Sequence, residues 1–324
     1  MQSASQCHIG YMNIPFLPGL LNKDIRRQAK ENAAQGKPLN IMQDIVFKAV
    51  FTGPDEDSRE ALRLLLQDCI RRPVKDARVL NTEIIPDYLL GKTVRLDIHA
   101  TFNDGEGCNV EMQTGGDKRV IKDRALVHAA KLLSAQAKKG RKWGTINRVY
   151  SIFFMNFTLF PESGRIPQRY TIMEETGHAK LNDTLELIFF EMPKLEAFVQ
   201  GYLEGKEDLK TLRPEDQWCI YFKYKENERM ARLIEELCQK SEGIMHAERV
   251  ARKISRSEEQ WARTIFWEKA DMDYHSGLDS AREEGIEEGI EKGIEKGREE
   301  GQEKVLALLD PDIAEKIRAQ LKMK

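Results

Sequence analysis

Apolar and polar residues alternate with period two along Val94–Gln113, VRLDIHATFNDGEGCNVEMQ, on either side of a polar turn at NDGEG. That pattern predicts a β-hairpin with one buried face. Two loops fit. A two-residue loop at Asp104-Gly105 sets Asp97 opposite Met112, whereas a three-residue loop, Asn103-Asp104-Gly105, sets Asp97 opposite Glu111 and Arg95 opposite Gln113. The second also pairs Leu96 with Met112, Ile98 with Val110, His99 with Asn109 and Ala100 with Cys108, sorting apolar from polar on both strands at once. Burial of one face fixes register in this way, so the three-residue loop is preferred.

Elsewhere the period changes. Leu62, Leu65, Leu66 and Ile70 recur at helical spacing over Ser58–Arg71, with Ser58 read as N-cap and Pro73 as stop. Val79–Ile85 reads as a strand. Lys118–Lys139 reads as a helix ended by Gly140, with Val120, Leu126, Val127, Leu132 and Leu133 as its core positions. Ile146–Leu159 is a strongly apolar strand region, and Arg169–Met173 and Thr184–Glu191 are further strands. Leu195–Tyr274 reads as amphipathic helix. The expected organisation is an N-terminal arm over 1–40, an α/β domain over 41–200, a helical region over 201–275 and a tail over 276–324.

That tail repeats every four residues between Gly285 and Gly301 (GIEE, GIEK, GIEK, GREE). Each glycine costs a helix roughly 1 kcal/mol relative to alanine, and the Glu and Lys rows recover only tenths. A solvated low-complexity tail is one reading and a self-associating helix that makes a homo-oligomer is the other. A short helix interrupted near Pro311 is expected over Val305–Leu321.

Composition narrows the function classes. The 324 residues are 41% hydrophobic, enough for a real core, and net charge is −2, so nucleic-acid binding must rest on a local surface. Five scattered cysteines without C-x-x-C spacing point to neither disulfides nor zinc and fit a reducing cytoplasm. The longest apolar stretch is too short to span a bilayer, so no membrane partner is expected. A local basic surface does exist: Lys118, Arg119, Lys122, Arg124, Lys131, Lys138, Lys139, Arg141, Lys142 and Arg148 stand against only Asp117 and Asp123 over residues 117–148.

Facing carboxylates at Asp97 and Glu111 repel unless a cation lies between them. Arg95 as a structural counter-ion is one candidate. A hard divalent cation is the other, because Mg²⁺ is usually held by one or two carboxylates plus waters and phosphates. Geometry alone leaves the choice open.

The ordered pieces D44-I-V-F-K-A-V-F51, R95-L-D-I98, N109-V-E-M-Q113, K122-D-R-A-L126, L181-N-D-T-L-E-L-I-F-F-E-M-P-K-L195 and W218-C-I-Y-F222 are together specific. With D-x13-E-x-Q on a hairpin followed by a basic helix, the chain resembles the PD-(D/E)XK nuclease superfamily. Within it, the chain looks most like the recombination-promoting nuclease and transposase (Rpn-type) family. The resemblance implies a restriction-endonuclease-like core, an αβββαβ mixed sheet flanked by helices, with a C-terminal helical extension. It implies Mg²⁺ (or Mn²⁺) held by Asp97 and Glu111 with Asp44 completing the site, and Gln113 in place of the superfamily's usual lysine. Asp97 follows Leu96, so the literal Pro-Asp dipeptide is absent. DNA is the implied substrate and endonucleolytic hydrolysis the implied reaction. The alternative is a catalytically inactive nuclease-fold protein that binds DNA or scaffolds an assembly.

Overall fold

The structure is a computed structural model that describes residues 22–81, 83–84, 94–115, 117–137, 142 and 144–306. The chain divides into two compact units, Leu21–Thr264 and a second that holds the described residues 265–306.

Within the first unit the order is α1 (Lys23–Gln35), α2 (Asp44–Phe51), α3 (Glu56–Ile70), β1 (Ala77–Val79), β2 (Glu83–Ile84), β3 (Val94–Arg95), β4 (Ile98–Phe102), β5 (Glu106–Gln113), α4 (Lys118–Ser134), β6 (Val149–Met155), β7 (Gln168–Thr171) and β8 (Leu185–Glu191). Helices α5 (Glu196–Leu203), α6 (Pro214–Tyr224), α7 (Ala231–Lys240) and α8 (Glu242–Ser255) follow, and α9 (Glu258–Leu306) runs on into the second unit.

Six strands form one mixed sheet in the order β1-β4-β5-β6-β8-β7, and β2 and β3 pair separately. The expected α/β fold with a helical extension is what the chain adopts. β4 and β5 are antiparallel in the three-residue-loop register, Ile98↔Val110, His99↔Asn109 and Ala100↔Cys108 through to Phe102↔Glu106. Gly105, at φ +99°, supplies the left-handed turn residue that any side chain would strain. β5, β6 and β8 are parallel, so Gln113, Met155 and Glu191 end together on one edge. α4 makes the crossover from β5 to β6.

The central strand β6, VYSIFFM, is buried throughout, as expected of a parallel strand covered on both faces. Ile98, Ala100, Val110, Tyr150, Ile152, Phe154, Ile188 and Phe190 face the main core, against Phe47 and Phe51 of α2, leucines of α3, Trp218 and Phe222 of α6, and α8. On the opposite face α4 lays Ile121 and Ala125 on Phe153, Met155 and Phe189, and Ala129 and Leu132 on Val149 and Leu185.

Several expectations are corrected. Within the segment read as an arm, Lys23–Gln35 is a helix whose N-cap Asn22 accepts from Asp24 N–H. Asp55, not Ser58, caps α3, accepting from Ser58 N–H at 2.9 Å. The strand read over 79–85 is split between β1 and β2. Leu126 and Val127 are 55% and 47% exposed; alanines 125 and 129 with Ile121, His128 and Leu132 carry the buried stripe instead. Leu96 leaves the Ile98 face and packs with Ala129 and Leu132, because the ladder stops at Ile98 and the chain bends at Asp97. For the glycine-repeat segment two readings stand open, and the helical one holds as far as Leu306. It continues a helix begun at Glu258 with Trp261 and Ala262 buried, so the costly nucleation step is already met upstream. The helix expected over Val305–Leu321 and the arm's first 21 residues lie outside the described residues.

Candidate active site

The bend at Asp97 is what builds the site. Released from the ladder, its carboxylate turns to β5, and Oδ2 accepts the Met112 N–H at 3.0 Å. This ties Asp97 to the strand that carries Glu111 and Gln113. From the main-core side, α2 brings Asp44 and Lys48 one helical turn apart, so both project from the same stripe. Lys48 Nζ stands 2.9 Å from Asp44 Oδ1 and 3.8 Å from Asp97 Oδ1.

Glu111 is fully buried. Its Oε1 accepts from Asn109 Nδ2 at 3.4 Å and lies 3.3 Å from His128 Nδ1. Its Oε2 accepts from Gln113 Nε2 at 3.5 Å and lies 3.6 Å from Arg124 Nη2. Arg124 and His128 are four residues apart on α4, which places both on the flank that faces β5. Beside them, Asn109 and Ser151 are paired across β5 and β6, and Asn109 Oδ1 and Ser151 Oγ are buried with no hydrogen-bond partner among the described residues.

Electrostatics reflect the crowding of acids. Burial pushes the Asp97 carboxyl well above its ordinary value, and the charges of Glu111 and Asp44 push it further, against the opposing pull of Lys48 and the Met112 N–H. Burial pulls the Lys48 ammonium down, but Asp44, Asp97 and Glu111 together outweigh it and hold it above the usual lysine value. No group of three or more His, Cys, Asp or Glu side chains is set to enclose a metal ion among the described residues.

The residues expected at the site are thus partly gathered. Asp44, Asp97, Glu111, Gln113 and Arg124 converge. Lys118 and Lys122 instead lie over the rings of Phe157 and Phe160, at 5.6 and 4.7 Å from their centroids. Arg119 is held by Asp117 at 2.8 Å. Lys131 is half-buried near the end of α4 and Lys142 is exposed beyond it, while Lys138, Lys139 and Arg141 lie outside the described residues, as does the side chain of Arg95. Among the described residues the cation set between Asp44 and Asp97 is Lys48, which sequence reasoning did not single out although it stands in the quoted D44-I-V-F-K48 piece. His128, beside Glu111, is not among the residues expected from the sequence; its four-residue spacing from Arg124 is the signal that points to it.

The fold agrees with the comparison to known families: the model for PD-(D/E)XK nuclease family transposases matches residues 41–281. No curated protein and no solved structure matches the chain. A match over that much of the sequence, carried on a six-stranded mixed sheet flanked by helices, means that the chain belongs to the PD-(D/E)XK nuclease family transposases.

Proposed function

We propose that the protein is a divalent-metal-dependent DNA endonuclease that hydrolyses phosphodiester bonds in recombination or transposition-like events. The observation that carries the reading is the tether of Asp97 to Met112 N–H, which sets one half-buried carboxylate next to the strand segment holding a fully buried one, Glu111. Asp97, Glu111 and Asp44 act electrostatically on the single ammonium of Lys48. That excess of negative charge fits Mg²⁺ or Mn²⁺, and a set of two carboxylates suits an ion that keeps several of its waters. Asp97 and Glu111 would hold it, with Asp44 as the third candidate. Such a cation supplies a bound water of lowered pKa and positive charge beside the phosphate.

The chain's own groups do the rest. Gln113, at the end of β5, can orient a water or a phosphate oxygen through its amide but brings no charge. Positive charge comes from Lys48 and from Arg124, whose side chain is 44% exposed and whose guanidinium matches phosphate oxygens in a bidentate fork. His128 and Asn109 hold the Glu111 carboxylate in place. The complete burial of Glu111 beneath these partners favours the second reading, a nuclease fold that binds DNA without cutting it.

Incubating supercoiled plasmid with the wild type and Asp97→Ala, in Mg²⁺ and in chelator, separates the two. Nicking in Mg²⁺ that is lost in the variant and in chelator is expected. Equal nicking by both proteins removes the site assignment, and retained DNA without nicking selects the second reading.

A further inference from the structure

Glu191 and Lys194 belong to the quoted E191-M-P-K194-L piece, yet neither touches the carboxylate site. Glu191 is 1% exposed at the end of β8. Its Oε1 accepts two backbone N–H groups, Leu159 at 2.6 Å and Phe160 at 2.7 Å, while Oε2 pairs with Lys194. Lys194 Nζ also donates to Phe160 O at 2.9 Å and to Ser163 O. Three acceptors use all three ammonium protons, so Lys194 has nothing left to offer a substrate. The pair clamps the segment after β6.

That segment presents two rings to α4. Phe160 is wedged against Tyr170 and Phe189, with centroids 5.5 Å from each, and supports Lys122; Phe157 supports Lys118. Neither lysine has a carboxylate partner among the described residues. A helix turns 100° per residue, so Lys122 and Arg124 leave α4 on opposite flanks, about a helix diameter of 10–12 Å apart. At 3.4 Å per nucleotide of one strand, that span is about three nucleotides.

We propose that Lys118 and Lys122 form a second phosphate-contact site. It takes backbone phosphates of DNA about three nucleotides from the phosphate that Arg124 contacts, and the Glu191–Lys194 pair is the latch that holds its aromatic floor. This rests on the nuclease reading for the ligand, and Glu191 is a positioning residue. Charge counting and the latch predict opposite signs for Glu191→Gln. Removing an acid strengthens binding if only net charge matters and weakens it if the floor loosens.

The test is the salt dependence of binding to a fluorescently labelled DNA duplex in chelator, with melting temperature recorded for each variant. Lys122→Gln is expected to reduce the slope of log affinity against log salt by about 0.9, and Glu191→Gln by up to about 1.8, as two contacts are lost. Phe160→Leu keeps net charge unchanged and is expected to weaken binding, its slope moving toward that of Lys122→Gln; it also serves if Glu191→Gln fails to fold. Wild-type slopes and affinities in Lys122→Gln and Phe160→Leu overturn the second site, and tighter binding by folded Glu191→Gln overturns the latch. A wild type that does not bind duplex removes the DNA reading itself, and the second site with it.

Discussion

Replacing Lys48 with methionine keeps the apolar stem of the side chain and removes its ammonium, which isolates what that group does between Asp44 and Asp97. Its Nζ lies 2.9 and 3.8 Å from their oxygens, and the three side chains are 30%, 26% and 17% exposed. Removing one partner of a buried pair typically costs 3–5 kcal/mol; partial exposure lowers that here to about 2 kcal/mol. For a unit of this size, about 2–4 °C per kcal/mol translates into a fall in Tm of roughly 4–8 °C at neutral pH. The sign with pH follows from Asp97. Its folded pKa is raised by burial and by its acidic neighbours, and Lys48 opposes the rise. A group with a raised folded pKa favours the fold when protonated, and that contribution is lost as pH rises through the folded value. Without Lys48 the rise is larger, so the deficit of Lys48→Met shrinks as pH falls toward about 5 and widens as pH rises. Mg²⁺ should restore part of the lost Tm, since a ligand that binds only the folded state stabilises it. Scanning calorimetry of both proteins at the two pH values, with and without Mg²⁺, is the assay. A variant that melts with the wild type at both pH values would refute the idea that Lys48 neutralises the acids.

Two further outcomes follow from the packing. Asp97→Asn keeps an acceptor for the Met112 N–H but removes a charge that burial disfavours, so it should gain about 1 kcal/mol at neutral pH while losing nicking activity, and chemical denaturation alongside the plasmid assay checks both. A loss of stability instead would mean that the Asp97 charge supports the fold. Gly243 lets α8 approach α3: a Cβ there would stand 2.7 Å from Trp218 and 2.8 Å from a Leu64 carbon. Gly243→Ala should cost about 1–3 kcal/mol by urea denaturation, and a neutral result would mean that the two helices part easily.

The hairpin register was legible because alternation on two strands and a glycine turn all agree on one pairing. The buried face of α4 was not, since Ala125 and Ala129 do the packing while the larger Leu126 and Val127 point outward. Size drew attention to the wrong flank. Lys48 was invisible for another reason. Its second partner, Asp97, lies far along the chain, and only tertiary packing of α2 against the sheet brings the two together. The position of Leu96 depended on a single bend that no period reveals, because alternation holds through Asp97 in sequence and breaks there in space.

The three-residue turn at Asn103–Gly105 sits at the far end of the hairpin from Asp97 and Glu111, beyond five consecutive cross-strand pairs. Extra residues inserted at that tip would lengthen the loop and leave the acids facing as before, whereas one residue inserted between Asp97 and Ile98 or within β5 would turn a strand over. The interval of thirteen residues between the two carboxylates is therefore elastic at its middle and rigid at its ends. A motif search that fixes that interval would overlook functional relatives, while one that fixes the strand-borne halves and lets the tip vary would retain them.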